Sequence, residues 1–125
     1  MKLFDRIRTG ARTREQTPTG SVSPSENQAE SLIVEGNMLE DAGRLVDALG
    51  RYDAAVHLAP AFARAHLNRG NVLLALGDNQ GAVAAYATAL LHDPANGVAH
   101  YNLGNAYVRS NRREDARLLH ARQPP

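Results

Sequence analysis

The 125-residue sequence predicts an all-α fold, a solenoid of about three helix-turn-helix hairpins of which the last is incomplete. Three observations carry that prediction. From Ala29 onward the chain repeats with a period of 34 residues: Gly36, Gly70 and Gly104 fall one period apart, as do Asn37, Asn71 and Asn105, and Ala48, Ala82 and Ala116. Glycine and proline punctuate each period at the same offsets, with Gly43 matching Gly77 and Pro60 matching Pro94. Alanine is abundant while aromatic residues make up 5% of the chain and tryptophan is absent, a balance suited to close-packed helices rather than a β-sandwich.

The first segment, residues 1–28, lies outside the repeat. Arg6, Arg8, Arg12 and Arg14 are set among Ser and Thr residues with Pro18 and Pro24, so too little apolar surface exists to offset chain entropy. It is expected to be a disordered basic tail. Leu3, Phe4 and Ile7 could share one side of a short helical turn, for a weak membrane or partner contact or as part of an Arg- and Ser-rich targeting segment, although a solvated leader is the default.

The repeats follow at 29–62, 63–96 and 97–125. In the second, Arg64 to Leu76 reads as a helix that stops at Gly77, where glycine takes the left-handed conformation of a C-cap. Asp78 or Asn79 then caps a second helix running to about His92. Asp93-Pro94 closes the unit, because proline disfavours helix in the residue before it. The first unit follows the same grammar with Gly43 and Ala59-Pro60, and the third uses Asn111 at the turn. Gly70 and Ala82 leave room for two backbones to approach, with Leu73 and Tyr86 filling the space on either side. A glycine inside a helix costs ~1 kcal/mol relative to alanine, so its recurrence signals a packing requirement. Gly36, Ala48, Tyr52, Pro60, Gly70, Ala82, Tyr86, Ala89, Pro94, Gly104 and Ala116 form the expected packing set, with Ala55 one period before Ala89.

His66-Leu67-Asn68-Arg69-Gly70-Asn71, Gly77-Asp78, Ala82, Tyr86, Ala89 and Asp93-Pro94 resemble the tetratricopeptide repeat, as does the run from His100 to Tyr107 in the third unit. The resemblance covers residues 29–125 and implies a right-handed superhelix whose first helices line a concave groove. It departs at Glu35 and Arg69, which replace a large apolar residue before the glycine, and at the C-terminal end, where the family's usual capping helix is missing. Leu103, Tyr107, Leu118 and Leu119 are therefore expected to remain uncovered, for self-association, a partner, or the rest of a longer protein.

On the groove face the resemblance places Asn37, Arg64, Leu67, Asn68, Asn71, Leu74, Tyr101, Asn102, Asn105 and Arg109. A carboxamide both donates and accepts, which suits the main chain of an extended peptide. The asparagine series looks similar to the ladder in the repeat region of O-linked N-acetylglucosamine transferases. Equally, these asparagines suit bonds between neighbouring helices. The family's carboxylate clamp for chaperone C-termini needs basic residues where this chain has Ile33, Val98 and Asn102, although Asn37 and Asn68 match its asparagines.

The remaining chemistry is sparse. A net charge of +1 gives no field to recruit nucleic acid, and the longest apolar runs are too short to span a bilayer. The absence of cysteine removes disulfides and thiolate metal sites and suits a reducing, cytoplasmic compartment; no secretory signal is visible in residues 1–10. His66 and His100 are expected to pack between helices, and no metal or cofactor is called for. Phosphate-loop, serine-elbow and paired-histidine signatures are missing, so no catalytic residue is assigned. Asp47, Asp53, Glu114 and Asp115 are expected as surface charges. The expected function is a non-catalytic adaptor or scaffold binding an extended peptide in an Asn-lined groove. The alternatives are the substrate-recognition part of a larger enzyme, such as a glycosyltransferase with these repeats, and self-assembly through the C-terminal repeat as a homo-oligomer.

Overall fold

Five helices account for the computed structural model: α1 Pro24–Asp41, α2 Leu45–Leu58, α3 Ala63–Ala75, α4 Asn79–His92 and α5 Gly97–Ala121. It describes residues 23–121, without the side chains of Asp115, Ala116, Leu119, His120 and Ala121, and contains no strand among them. The expected tail over residues 1–28 is cut short by α1, which starts at Pro24. Ser23 accepts the Glu26 amide at 3.1 Å and proline opens the first turn, where its missing N–H is not needed. The rest of that tail lies outside the described residues.

Turn chemistry positions the hairpins. Gly43 (φ 78°) and Gly77 (φ 88°) adopt the left-handed conformation between α1 and α2 and between α3 and α4. Asp78 caps α4 through the Gly81 amide at 2.9 Å, and Asn96 caps α5 through the Ala99 amide at 3.0 Å. The third unit departs from expectation. Asn111 makes no turn: α5 runs through it as one helix of 25 residues. Among the described residues no side chain other than glycine has positive φ. A left-handed asparagine is strained where glycine is not, so continuing the helix is the cheaper course.

Packing runs in one direction along the stack. α1 packs on α2 and α3 on α4, while α2 meets α3 and α4 meets α5. The first helices also touch one another, α1 with α3 and α3 with α5, whereas α2 and α4 do not meet. The stack therefore curves, with α1, α3 and α5 on the inner side. Two apolar clusters fill it, one around Ile33, Ala48, Tyr52 and Val72, the other around Leu73, Ala82, Tyr86 and Ala106.

The glycines before Asn37 and Asn71 have a role beyond the backbone approach expected between Gly70 and Ala82. Each makes room for a tyrosine ring from the following helix. A Cβ on Gly70 would stand 2.6 Å from Cε1 of Tyr86, and a Cβ on Gly36 would collide with the ring of Tyr52. Both tyrosines are fully buried. Gly104, expected in the same role, is exposed with nothing within 4 Å of a Cβ, because no second helix folds back over it. Glu35 and Arg69, the two departures from the repeat, each form an ion pair with α2: Arg51 to Glu35 at 3.0 Å and Arg69 to Asp53 at 2.5 Å.

Candidate functional site

The inner face of α1, α3 and α5 carries the asparagines at a spacing of three residues, which sets Asn68 and Asn71 side by side on α3, and Asn102 and Asn105 on α5. Four of the five are joined into a repeating arrangement. In the second unit the Tyr86 hydroxyl donates to Asn71 Oδ1 at 2.6 Å, and Asn102 Nδ2 donates to the same oxygen at 2.9 Å. In the first, Tyr52 donates to Asn37 Oδ1 at 2.6 Å and Asn68 Nδ2 reaches that oxygen at 3.3 Å. Each cluster ties three helices: the first and second of one unit and the first of the next. Tyr52 also meets Glu40 Oε1 at 2.5 Å, so its single proton is shared between two acceptors. Leu74 stands where Glu40 does in the first unit, and the Tyr86 cluster has no such competitor.

Burial governs the protonation of these phenols. Removal from water pushes the Tyr86 hydroxyl up to about 12, against the pull of Arg109 and with a contribution from Glu40. Tyr52 is pushed up by burial first and then by its bond to Glu40 and the charges of Glu40 and Asp41. Both remain neutral donors at physiological pH.

The other residues expected in the groove are placed as follows. Leu67 and Leu74 are half-buried between the asparagines, Tyr101 stands 72% exposed, and Asn105 and Arg109 are exposed. Arg64 turns to α1, where it grips Glu30 with two bonds of 2.9 and 2.7 Å and lies over the Phe62 ring at 5.7 Å. Its charge is locally answered. Arg109 retains an influence on Tyr86, across the α4–α5 contact. Glu30, Glu40 and the tyrosine hydroxyls were not among the groove residues expected from sequence. The signal for the tyrosines was present: Tyr52 and Tyr86 each follow an asparagine by 15 residues.

The histidines close loops. His66 Nε2 donates to the Pro60 carbonyl at 2.6 Å and His100 Nε2 to the Pro94 carbonyl at 2.9 Å, since a carbonyl only accepts. Pro60 and Pro94, expected in the packing set, are themselves exposed and take part only as carbonyl acceptors of these bonds. His66 is buried and stacks on His92 with centroids 5.9 Å apart, while His100 is exposed. Among the described residues no three His, Asp or Glu side chains gather to hold a metal, and no helix is long and apolar enough to cross a membrane.

The model of the tetratricopeptide repeat family matches residues 73–125. No curated protein matches the sequence significantly. Among solved structures, the Arabidopsis OM64 TPR domain is similar at 26% identity over 74% of this chain and 76% of that one, with a TM-score of 0.67. The first TPR of Spaghetti (RPAP3) bound to HSP90 peptide SRMEEVD has 20% identity, coverage of 73% and 74%, and a TM-score of 0.67. Its second TPR, bound to the same peptide, has 22% identity, coverage of 78% and 92%, and a TM-score of 0.67. With its stacked hairpins, its glycine turns and these neighbours, the chain has an all-α tetratricopeptide-repeat fold.

Proposed function

We propose that the chain is a non-catalytic interaction module, an adaptor or scaffold, that holds an extended peptide across α1, α3 and α5. One observation carries this reading: the tyrosine bonds orient the amides of the groove. With Asn71 Oδ1 occupied by Tyr86 and Asn102, its Nδ2 is left to donate, while Asn102 Oδ1 is left to accept. Asn37 and Asn68 repeat the pair one unit earlier. Donors and acceptors thus alternate along the face, as N–H and C=O alternate along an extended chain. The same side chains link helices through one amide atom and offer the other to a ligand, so both uses of asparagine weighed from the sequence are compatible.

Recognition rests on the peptide main chain rather than a free C-terminus. Ile33 is buried, and Val98 and Asn102 are uncharged, where a carboxylate clamp needs cations. The SRMEEVD-bound structures support a peptide as the ligand class on this fold. Few repeats offer a short groove, and buried area converts poorly to affinity, so binding should be modest.

The test is an array of extended peptides of varied sequence, followed by N-methylation of alternate amides in those that bind. Blocking main-chain donors should lower affinity at least tenfold, and so should the Asn68→Ala/Asn105→Ala variant, which spares the tyrosine–asparagine bonds. Undiminished binding in both cases would place the ligand elsewhere.

A further inference from the structure

The third repeat has its second-helix sequence but not its second helix. Ala116, Leu119 and His120 stand one period after Ala82, Ala85 and Tyr86, the residues of α4 that are buried in the cluster with Leu73. Asn111 stands one period after the turn glycine Gly77. Because α5 continues through Asn111, residues 112–121 extend along its own axis instead of folding back over residues 97–111, and Arg113 reaches the Gly77 carbonyl at 3.3 Å. Residues 104 and 120 are then roughly 24 Å apart along the helix axis at 1.5 Å per residue, too far for the segment to fold onto its own first half.

That first half is open where its counterpart is covered. Leu73 is 6% exposed under α4, whereas Tyr107, one period later, is 51% exposed. Gly70 is buried against Tyr86, whereas Gly104 has open space. We infer that residues 112–121 of a second copy of this chain cover this face, giving a dimer in which the two α5 helices run antiparallel and exchange their C-terminal halves.

The register follows from the complete repeats. Gly36 and Tyr52 are symmetric about Arg44, and Gly70 and Tyr86 about Asp78; the equivalent centre in the third unit is Arg112. Two α5 helices related by a twofold axis at Arg112 would place position 120 of each level with Gly104 of the other. The contact is isologous and closes, so it ends at two copies. It also sets Arg109 of one copy level with Asp115 of the other, opposite charges across the axis. Asn111 acts as the hinge: helical in the exchanged form, and left-handed if the hairpin closes within one chain.

The full chain should sediment at twice 13.5 kDa as concentration rises. Asn111→Gly relieves the strain of the left-handed turn and should return the mass to that of one chain at equal helicity. The protein lacks cysteine, so the pair Gly104→Cys with His120→Cys reports the register directly. On mild oxidation it should give a covalent dimer in a non-reducing gel, and with Asn111→Gly added a monomer closed by its own disulfide. A single-chain mass up to several hundred micromolar, a dimer that persists in Asn111→Gly, or a cysteine pair that gives no covalent dimer would each overturn the exchange.

Discussion

Replacing Gly70 by alanine tests whether the glycine exists for the Tyr86 ring. Helix propensity alone favours the change by ~1 kcal/mol. The structure opposes it. The new Cβ would lie 2.6 and 2.8 Å from Cε1 and Cδ1 of Tyr86 and 3.1 Å from Cζ. The ring cannot yield outward, because it is fully buried and its hydroxyl is bound to Asn71. Overpacking of this kind costs ~1–3 kcal/mol. Displacing the ring also strains a bond of ~1 kcal/mol that holds α4 to α3. The balance is a loss of ~1–3 kcal/mol. Gly50 is the control, an exposed glycine within α2 with nothing within 4 Å of a Cβ, so Gly50→Ala should gain ~0.5–1 kcal/mol. Followed by circular dichroism at 222 nm, the two variants should move the melting midpoint in opposite directions. In a domain of this size each kcal/mol is roughly 4–8 °C. A Gly70→Ala protein as stable as Gly50→Ala would refute the steric account of the repeated glycine.

Three further outcomes follow from the same geometry. Tyr86→Phe keeps the ring but frees Asn71 Oδ1 from one of its two donors, and chemical denaturation should show a loss of ~0.5–1.5 kcal/mol. The raised tyrosine pKa values make the fold alkali-sensitive. The unfolded chain loses the phenolic proton near pH 10 and folded Tyr86 only near about 12, so this stabilisation is complete below pH 10 and lost as pH rises through 12. At ~1.4 kcal/mol per pH unit, Tyr86 alone removes ~2–3 kcal/mol across that window, with Tyr52 acting in the same direction. Absorbance at 295 nm should show tyrosinate appearing together with loss of helix; full ionisation in a helical protein would contradict this. Asp78→Ala removes the cap on the Gly81 amide and should cost ~1 kcal/mol, whereas Arg64→Ala breaks an exposed pair with Glu30 and should cost less than ~1 kcal/mol. If the two costs prove equal in a denaturant series, the cap assignment fails.

Much of this architecture was legible in the residues. A period of 34 with glycine at its turns marks helical hairpins, because periodicity and left-handed caps are local properties of the chain. Gly43, Gly77 and Asp78 sit where that grammar puts them. The candidate site was legible as a row of asparagines, but not in its bonding. Whether Asn71 faces a ligand or a neighbouring helix depends on Tyr86 and Asn102, which are distant in sequence and meet only when helices pack. The resemblance placed Arg64 on the groove face, and only the packed helices pair it with Glu30, 34 residues earlier.

The course of the third unit shows where sequence reading ends. Its pattern at Asn111 and Ala116 continues that of the earlier units into an incomplete third hairpin, yet α5 is continuous. Local pattern determined which residues form helix, where glycine permits a turn, and which positions repeat. Tertiary structure decided the rest: which ring fills the space above each glycine, which oxygen each asparagine commits, and whether the last turn closes. The physical reason is that a left-handed asparagine is only slightly unfavourable. Packing around the turn therefore selects its conformation, and with Gly104 open and Tyr107 exposed nothing among the described residues of this chain holds the turn closed.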